Sequence, residues 1–439
     1  MTSPPPQDTV ADGVDDRRHN ETGGRFKYAF AALRIPNFRF YLTGQSVACT
    51  GIWMQVMALD WLVLELTGSP TAVGLTMAAQ SLPVLFLGAA GGIVADRYSK
   101  RVVLIATQSA CVVLNFAMAS LSVSGHVRIQ HVYVFAVALG MVFVVDNPAR
   151  QVFTGEMVPM WCIRGAIALN SAVFHGSRLI GPIAAAMLIH TEGMGWVFAV
   201  SAACHLFSLL VLTLIRSGDP VTDQAAAAGP ILVRSVLRDV VAEPRVVWTL
   251  FLVAVIGTFG LKFPVVLAAM ADSTFDGGAQ LYGLFNVALA AGSVVGAILG
   301  GRCARTRLRV VVVLAVVFGC TQAIAAVVPA LEVFLIALIA LGASNLAFQT
   351  VANSSLQVWT RPEVRGRVMG LYMLALIGGA PLGGPAVGWV CTLFGPRTGM
   401  VVCGVVPLAA AALVGASLHR PEPRWHSPRR ERRRLFRSG

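Results

Sequence analysis

Long apolar stretches alternate with short polar loops along nearly the whole chain. A hydrocarbon core of ~30 Å takes about 20 residues of helix to cross. The pattern places such helices at 41–65, 72–95, 102–122, 131–150, 166–190, 195–215, 246–270, 280–301, 308–328, 330–353, 366–390 and 396–418. The ninth and tenth are the least separated, forming one run broken only at Pro329, Ala330 and Glu332. After the sixth, the pattern lapses over 216–245, where Gly218, Pro220, an Ala run and Gly229-Pro230 divide six helices from six. Residues 231–242 alternate apolar and basic positions at helical spacing, which suits an amphipathic helix on the membrane surface and a plain linker helix equally.

The expected organisation is therefore a disordered, Pro-rich cytoplasmic segment at 1–36, a first half at 37–215, the linker at 216–245, a second half at 246–418 and a basic cytoplasmic tail at 419–439. The first thirty residues carry no apolar run of the kind a cleavable signal peptide needs. The halves echo one another. Arg164-Gly165 opens the fifth span with Gly181-Pro182 further on, and Arg365-Gly366 opens the eleventh with Gly384-Pro385 further on. Two homologous six-helix halves account for both matches.

Charge adds orientation to this picture. Of 34 Lys and Arg residues, Arg128 and Arg397 alone fall in loops on one side, and Arg178 and Lys262 alone fall inside apolar segments. The rest share the other side with both chain ends. Basic loops stay in the cytoplasm during insertion, so both termini are expected there. The net charge of +13 follows from these loops and the tail, and anionic lipid headgroups are its expected partners. The cluster Arg429, Arg430, Arg432, Arg433 and Arg434 has no aromatic interleaving or binding fold beside it, so no nucleic acid is expected. With 56% apolar and 13% charged residues, the chain cannot be one water-soluble core. Its 8 cysteines lie singly, without CxxC spacing, and read as packing residues; no metal and no cofactor is expected.

One loop carries a motif. Gly92-Ile93-Val94-Ala95-Asp96-Arg97-Tyr98-Ser99-Lys100-Arg101 joins the second and third spans. Asp96 falls at the C-terminal end of a helix, where the macrodipole is already negative, so a positive partner is expected. The start of the eleventh helix near Gly366 and Arg150 at the inner end of the fourth are the candidates. The plainer alternative is that Asp96 and Arg97 only end the helix, while Lys100 and Arg101 only set topology.

The segment resembles the GxxxDRxxxR loop of the major facilitator superfamily. Trp61-Leu62-Val63 with Leu66-Thr67-Gly68-Ser69, Asp146-Asn147-Pro148-Ala149-Arg150 and Arg365-Gly366-Arg367-Val368-Met369 extend the likeness toward its drug and siderophore exporters, including enterobactin exporters. The resemblance covers about 35–418 and implies an all-α fold of twelve transmembrane helices in two pseudo-symmetric halves. It also implies that Gly92, Asp96, Arg97 and Arg101, with Arg150 nearby, latch the halves together on the cytoplasmic side when the transporter faces outward. Gly181 and Pro182 resemble the fifth-helix Gly-Pro motif of exporters, with Ala185 and Ala186 where that motif usually has Gly.

Ionisable residues within a bilayer are costly and by default face the bundle interior, paired or functional. Arg178 is the deepest, and Asp146 is its expected partner, either as a fixed pair or as a carboxylate whose protonation Arg178 tunes. Asp60, toward the outer end of the first span, either snorkels to water or carries a coupling proton. Lys262 is expected to snorkel outward or else to bind an anionic substrate. Substrate contacts are expected from Gln45, Trp53, Gln55, Asn170, Phe259, Asn286, Asn345 and Gln349, each equally open to helix packing or lipid contact. Gly292, Gly296 and Gly300 have the spacing of a helix-packing stripe.

No GxxxxGK[ST] loop occurs, so ATP hydrolysis by that chemistry is excluded, and no HExxH or GxSxG suggests an enzyme. The function expected is a monomeric secondary transporter, exporting a small, partly apolar compound by alternating access in exchange for protons. Uptake or facilitated diffusion of a metabolite is the nearest alternative. A non-transporting membrane sensor is a more remote one.

Overall fold

The computed structural model describes residues 32–215, 243–302 and 307–418. Every span read from the pattern is a helix. They are α1 (Pro36–Thr67), α2 (Pro70–Arg97), α3 (Lys100–Val123), α4 (Ile129–Glu156), α5 (Ile163–Thr191), α6 (Met194–Leu214), α7 (Pro244–Thr274), α8 (Gly278–Arg302), α9 (Leu308–Val327), α10 (Leu331–Trp359), α11 in two pieces (Pro362–Ile377 and Ala380–Phe394) and α12 (Pro396–Leu418). All twelve cross a membrane by length and composition. The proposed amphipathic helix at 231–242 and the basic tail lie outside the described residues.

The same pairings recur in each half: α2 packs on α4 and α3 on α6, as α8 packs on α10 and α9 on α12. This repetition is the pseudo-symmetry that the paired Gly-Pro motifs implied. The halves meet through α2 against α11, α5 against α8 and α1 against α7. Large apolar side chains such as Phe86, Phe116, Leu214 and Trp389 remain exposed on outward faces, as a lipid solvent requires. Close helix contact comes from glycine. A Cβ at Gly292 or Gly296 would lie 1.9 or 2.1 Å from a carbonyl oxygen of α10, so the stripe lets two backbones touch.

Two helices are broken where a continuous span was expected. In α7 the α-helix ends at Val255, a π-helical turn runs Ile256–Gly260, and helix resumes at Phe263. Pro264 has no N–H to give the carbonyl of Gly260, four residues back. Gln322 Nε2 of α9 donates to that oxygen instead, at 3.1 Å. In α11 the break falls at Gly378 and Gly379, ahead of Pro381. There α11 closes on α7: a Cβ at Gly379 or Gly383 would collide with Thr258.

Candidate functional site

The site begins where α5 lies against α1. Gly181 has no side chain to hold the helices apart, and a Cβ there would come within 2.5 Å of Trp53 Cβ. One turn earlier, Ser177 Oγ donates to the Ser46 carbonyl and accepts from Thr50 Oγ1, both at 3.3 Å. These contacts set Arg178 over the Trp53 ring, its guanidinium carbon 5.2 Å from the centroid. Trp53 Nε1 is buried and has no hydrogen-bond partner among the described residues.

Further along α1, Asp60 accepts a hydrogen bond from Tyr282 Oη of α8 at 2.9 Å, and Trp61 stacks on the Tyr282 ring. Asp60 is 8% exposed, so it does not reach outer water by snorkelling. Asn286 Nδ2 donates to the Tyr282 carbonyl, and Gln349 Nε2 donates to Asn345 Oδ1 across one turn of α10.

Trp53, Asp60, Arg178 and Pro182 from the first half, with Tyr282, Asn286, Asn345 and Gln349 from the second, line one cavity of about 220 Å³. Leu261, Phe263 and Pro264, at the break in α7, complete an apolar part of its wall. Pockets that hold drug-sized ligands measure about 300–1,000 Å³. A bulky compound therefore requires the cavity to widen, and a small one does not.

The halves are closed at the end opposite the basic loops. Thr71 and Thr392 share a hydrogen bond of 2.8 Å between α2 and α11, and a Cβ at Gly74 would lie 2.2 Å from the Gly384 carbonyl oxygen. On α8, Gly283 fits against Ala186 and the Pro182 carbonyl. The small residue in the α5–α8 contact is thus on α8, which lets α5 carry Ala185 and Ala186 where the exporter motif has Gly. At the basic end the same helices stand apart: among the described residues, nothing lies within 4 Å of a Cβ at Gly88 or Gly92 of α2, or at Gly366 or Gly370 of α11.

Several sequence expectations are corrected. Asp146 pairs with Arg150, not Arg178. Nε to Oδ2 is 2.8 Å and Nη2 to Oδ1 is 2.9 Å, and Thr107 Oγ1 donates to Oδ1 at 2.7 Å. The two residues are one helical turn apart on α4, whereas Arg178 is on α5 with Trp53. Arg150 also donates to Gln45, which draws Gln45 into this network and away from the cavity. No carboxylate pairs with Arg178 among the described residues.

Arg101 donates from Nε and Nη2 to the carbonyls of Leu212 and Thr213 at 3.0 and 2.8 Å, capping the last turn of α6 within its own half. Arg97 is exposed at the end of α2, and the Asp96 side chain lies outside what is described. Gln55, Asn170 and Phe259 do not line the cavity; Gln55 Oε1 and Asn170 Oδ1 are buried without a partner among the described residues. Lys262 is 1% exposed, its Cε 2.8 Å from where a Gly383 Cβ would sit, because the break in α7 turns it between α7 and α11. Sequence reasoning missed Tyr282, a lone aromatic near a helix start that reads as an interface anchor.

The chain matches the family described as "Transmembrane secretion effector" over residues 27–431. It is 26% identical to the multidrug efflux pump Tap of Mycolicibacterium fortuitum, over 82% of this chain and 92% of that one. It is 22% identical to the enterobactin exporter EntS of Salmonella choleraesuis (strain SC-B67), over 84% and 89%. Among solved structures, a bacterial homolog of the human lysosomal transporter Spinster, in an inward-facing and unoccupied conformation, superposes with a TM-score of 0.70 at 13% identity, over 86% and 96%. Twelve apolar helices in two matched halves around a shared cavity, together with these likenesses, make this chain a multi-pass membrane transporter of small molecules, and it belongs to the transmembrane secretion effector family of the major facilitator superfamily.

Proposed function

We propose that this transporter is a proton-driven exporter of a small, partly apolar compound. It lies in the inner or plasma membrane as a monomer, with both termini in the cytoplasm. The positive-inside rule puts the basic end in the cytoplasm, so this form is open inward and closed outward. The observation that carries the reading is Asp60. It is a buried carboxylate in the cavity wall, and the hydroxyl of Tyr282 reaches it from the other half at 2.9 Å.

A hydrogen bond to an ionised carboxylate contributes about 1.5–3 kcal/mol, and a neutral acid contributes less. A few kcal/mol decides which of two conformations dominates. In the outward-facing form Asp60 takes a proton from outside as substrate leaves. In the inward-facing form it releases the proton to cytoplasmic water, and the ionised carboxylate then holds Tyr282 and keeps the outer end shut. Substrate entering from the cytoplasm wedges between Asp60 and Tyr282, breaks that contact and favours opening to the outside. The efflux and exporter names of the relatives support export over uptake.

Everted membrane vesicles test this reading. Under an acid-inside gradient, at least one compound of a broad panel that includes siderophores should accumulate, and a protonophore should abolish the accumulation. Accumulation of none of them, or uptake only into right-side-out vesicles, favours an importer or facilitator.

A further inference from the structure

The geometry points to Arg178 and Trp53 as the binding site for an acidic group on the substrate, so the preferred cargo is a small anion with an aromatic or apolar body. This inference rests on the reading of the central cavity as the transport site and adds the charge of what occupies it. Three observations carry it. Arg178 lines the cavity and has neither a carboxylate partner nor a hydrogen-bond acceptor among the described residues. Its guanidinium carbon lies 5.2 Å from the centroid of the Trp53 ring, a cation–π contact that supplies no hydrogen-bond acceptor in the guanidinium plane. Beside it, Trp53 Nε1 is a buried donor with no acceptor among the described residues.

This end of the cavity therefore offers donors without acceptors, and it carries a full positive charge. A carboxylate, phenolate or phosphate answers both features, and the planar fork of arginine binds such a group through two parallel hydrogen bonds. A cationic compound would meet an uncompensated arginine and the orphan donor of Trp53. The apolar wall at Leu261, Phe263 and Pro264 suits the remainder of the ligand.

Asp60 does not cancel this preference. It lies seven residues beyond Trp53 on α1, or ~10 Å along the axis. Because Coulomb energy falls with distance, its repulsion of the anion at that separation is weaker than the attraction of a charged pair in contact. An anion leaving a cell that is negative inside also moves down the membrane potential, so voltage adds to the driving force.

The test uses the full-length chain in nanodiscs and tritiated 2-naphthoate, with 2-naphthamide and 2-(aminomethyl)naphthalene as neutral and cationic competitors of the same shape. The wild type is expected to bind the carboxylate about tenfold more tightly than the amide, as one charge-assisted pair warrants, and the amine least. Arg178→Gln should bring carboxylate and amide to equal affinity, while Arg178→Lys keeps part of the preference. Trp53→Phe, which keeps the aromatic face and removes the N–H, should weaken the carboxylate several-fold.

Equal or reversed preference in the wild type, no binding of the carboxylate at millimolar concentration, or a preference that survives Arg178→Gln in folded protein overturns the inference. If Arg178→Gln does not fold, the wild-type comparison and Trp53→Phe still decide. Binding is read without flux, so a chain that binds the anion but never exports it contradicts the proposed function and leaves this inference standing. A chain that exports cations under a proton gradient does the reverse.

Discussion

Asp146 shows how local spacing settles the partnership of a buried charge. It sits one turn from Arg150 on α4, and the two form a bidentate pair to which Thr107 and Gln45 add hydrogen bonds from α3 and α1. Both side chains are mostly buried, at 16% and 11% exposure. Removing one member of such a pair leaves an uncompensated charge and costs about 3–5 kcal/mol. Asp146→Asn is therefore expected to lower the melting temperature in detergent by several degrees and to reduce insertion. The paired change of Asp146→Asn with Arg150→Gln should recover part of the loss, and an unchanged melting curve for the single variant would contradict this assignment. The spacing that forms the pair is visible in the sequence, but the need of the deepest cation, Arg178, for a carboxylate partner pointed to Asp146 instead. What sequence could not show is the docking of Gly181 on α1, which carries Arg178 to Trp53.

The helices themselves were almost wholly legible, because about 20 apolar residues between basic loops leave few alternatives in a bilayer. The breaks were legible only as ingredients. Pro264 and the Gly378-Gly379 pair stand in the sequence, but the partner that takes over the freed carbonyl, Gln322, is on another helix. Gln322→Leu should leave the Gly260 carbonyl without its donor and destabilise the protein by about 1–3 kcal/mol. Combined with Pro264→Ala, which restores the backbone N–H, the same change should cost much less, as a double-mutant cycle of melting temperatures would register. Additive effects would mean that Gln322 does not stand in for the missing N–H.

The contact of α2 with α11 supplies a second test at this scale. Gly74→Val puts side-chain atoms where the Gly384 backbone lies, so the outer end cannot close. Cysteines placed near Thr71 should become more reactive to an impermeant external reagent in that variant, and export should fall at least tenfold. Unchanged labelling would show that this end closes by other contacts.

At the scale of the whole molecule, two six-helix halves meet tightly at one end and part at the other, with the cavity between them. The candidate site was only half legible for the same reason that the spans were readily so. Apolar pattern and loop charge specify which segments cross the membrane, but which polar side chains converge depends on helix rotation and on glycine contacts between halves. Trp53, Asp60, Arg178, Asn286, Asn345 and Gln349 were within reach of sequence reasoning, whereas Tyr282 and the diversion of Gln45 to Arg150 were not.

The central claim is that export is exchanged for protons at Asp60. It is tested most directly in proteoliposomes with a pH-sensitive dye in the lumen, without an imposed pH gradient, using the compound that everted vesicles accumulate most strongly. Adding that compound outside should make the lumen more alkaline as substrate enters and protons leave through wild-type protein. Asp60→Asn should still bind and slowly exchange the compound but move no protons. Substrate entry with no change in lumenal pH in the wild type, or an equal change in Asp60→Asn, would contradict the account.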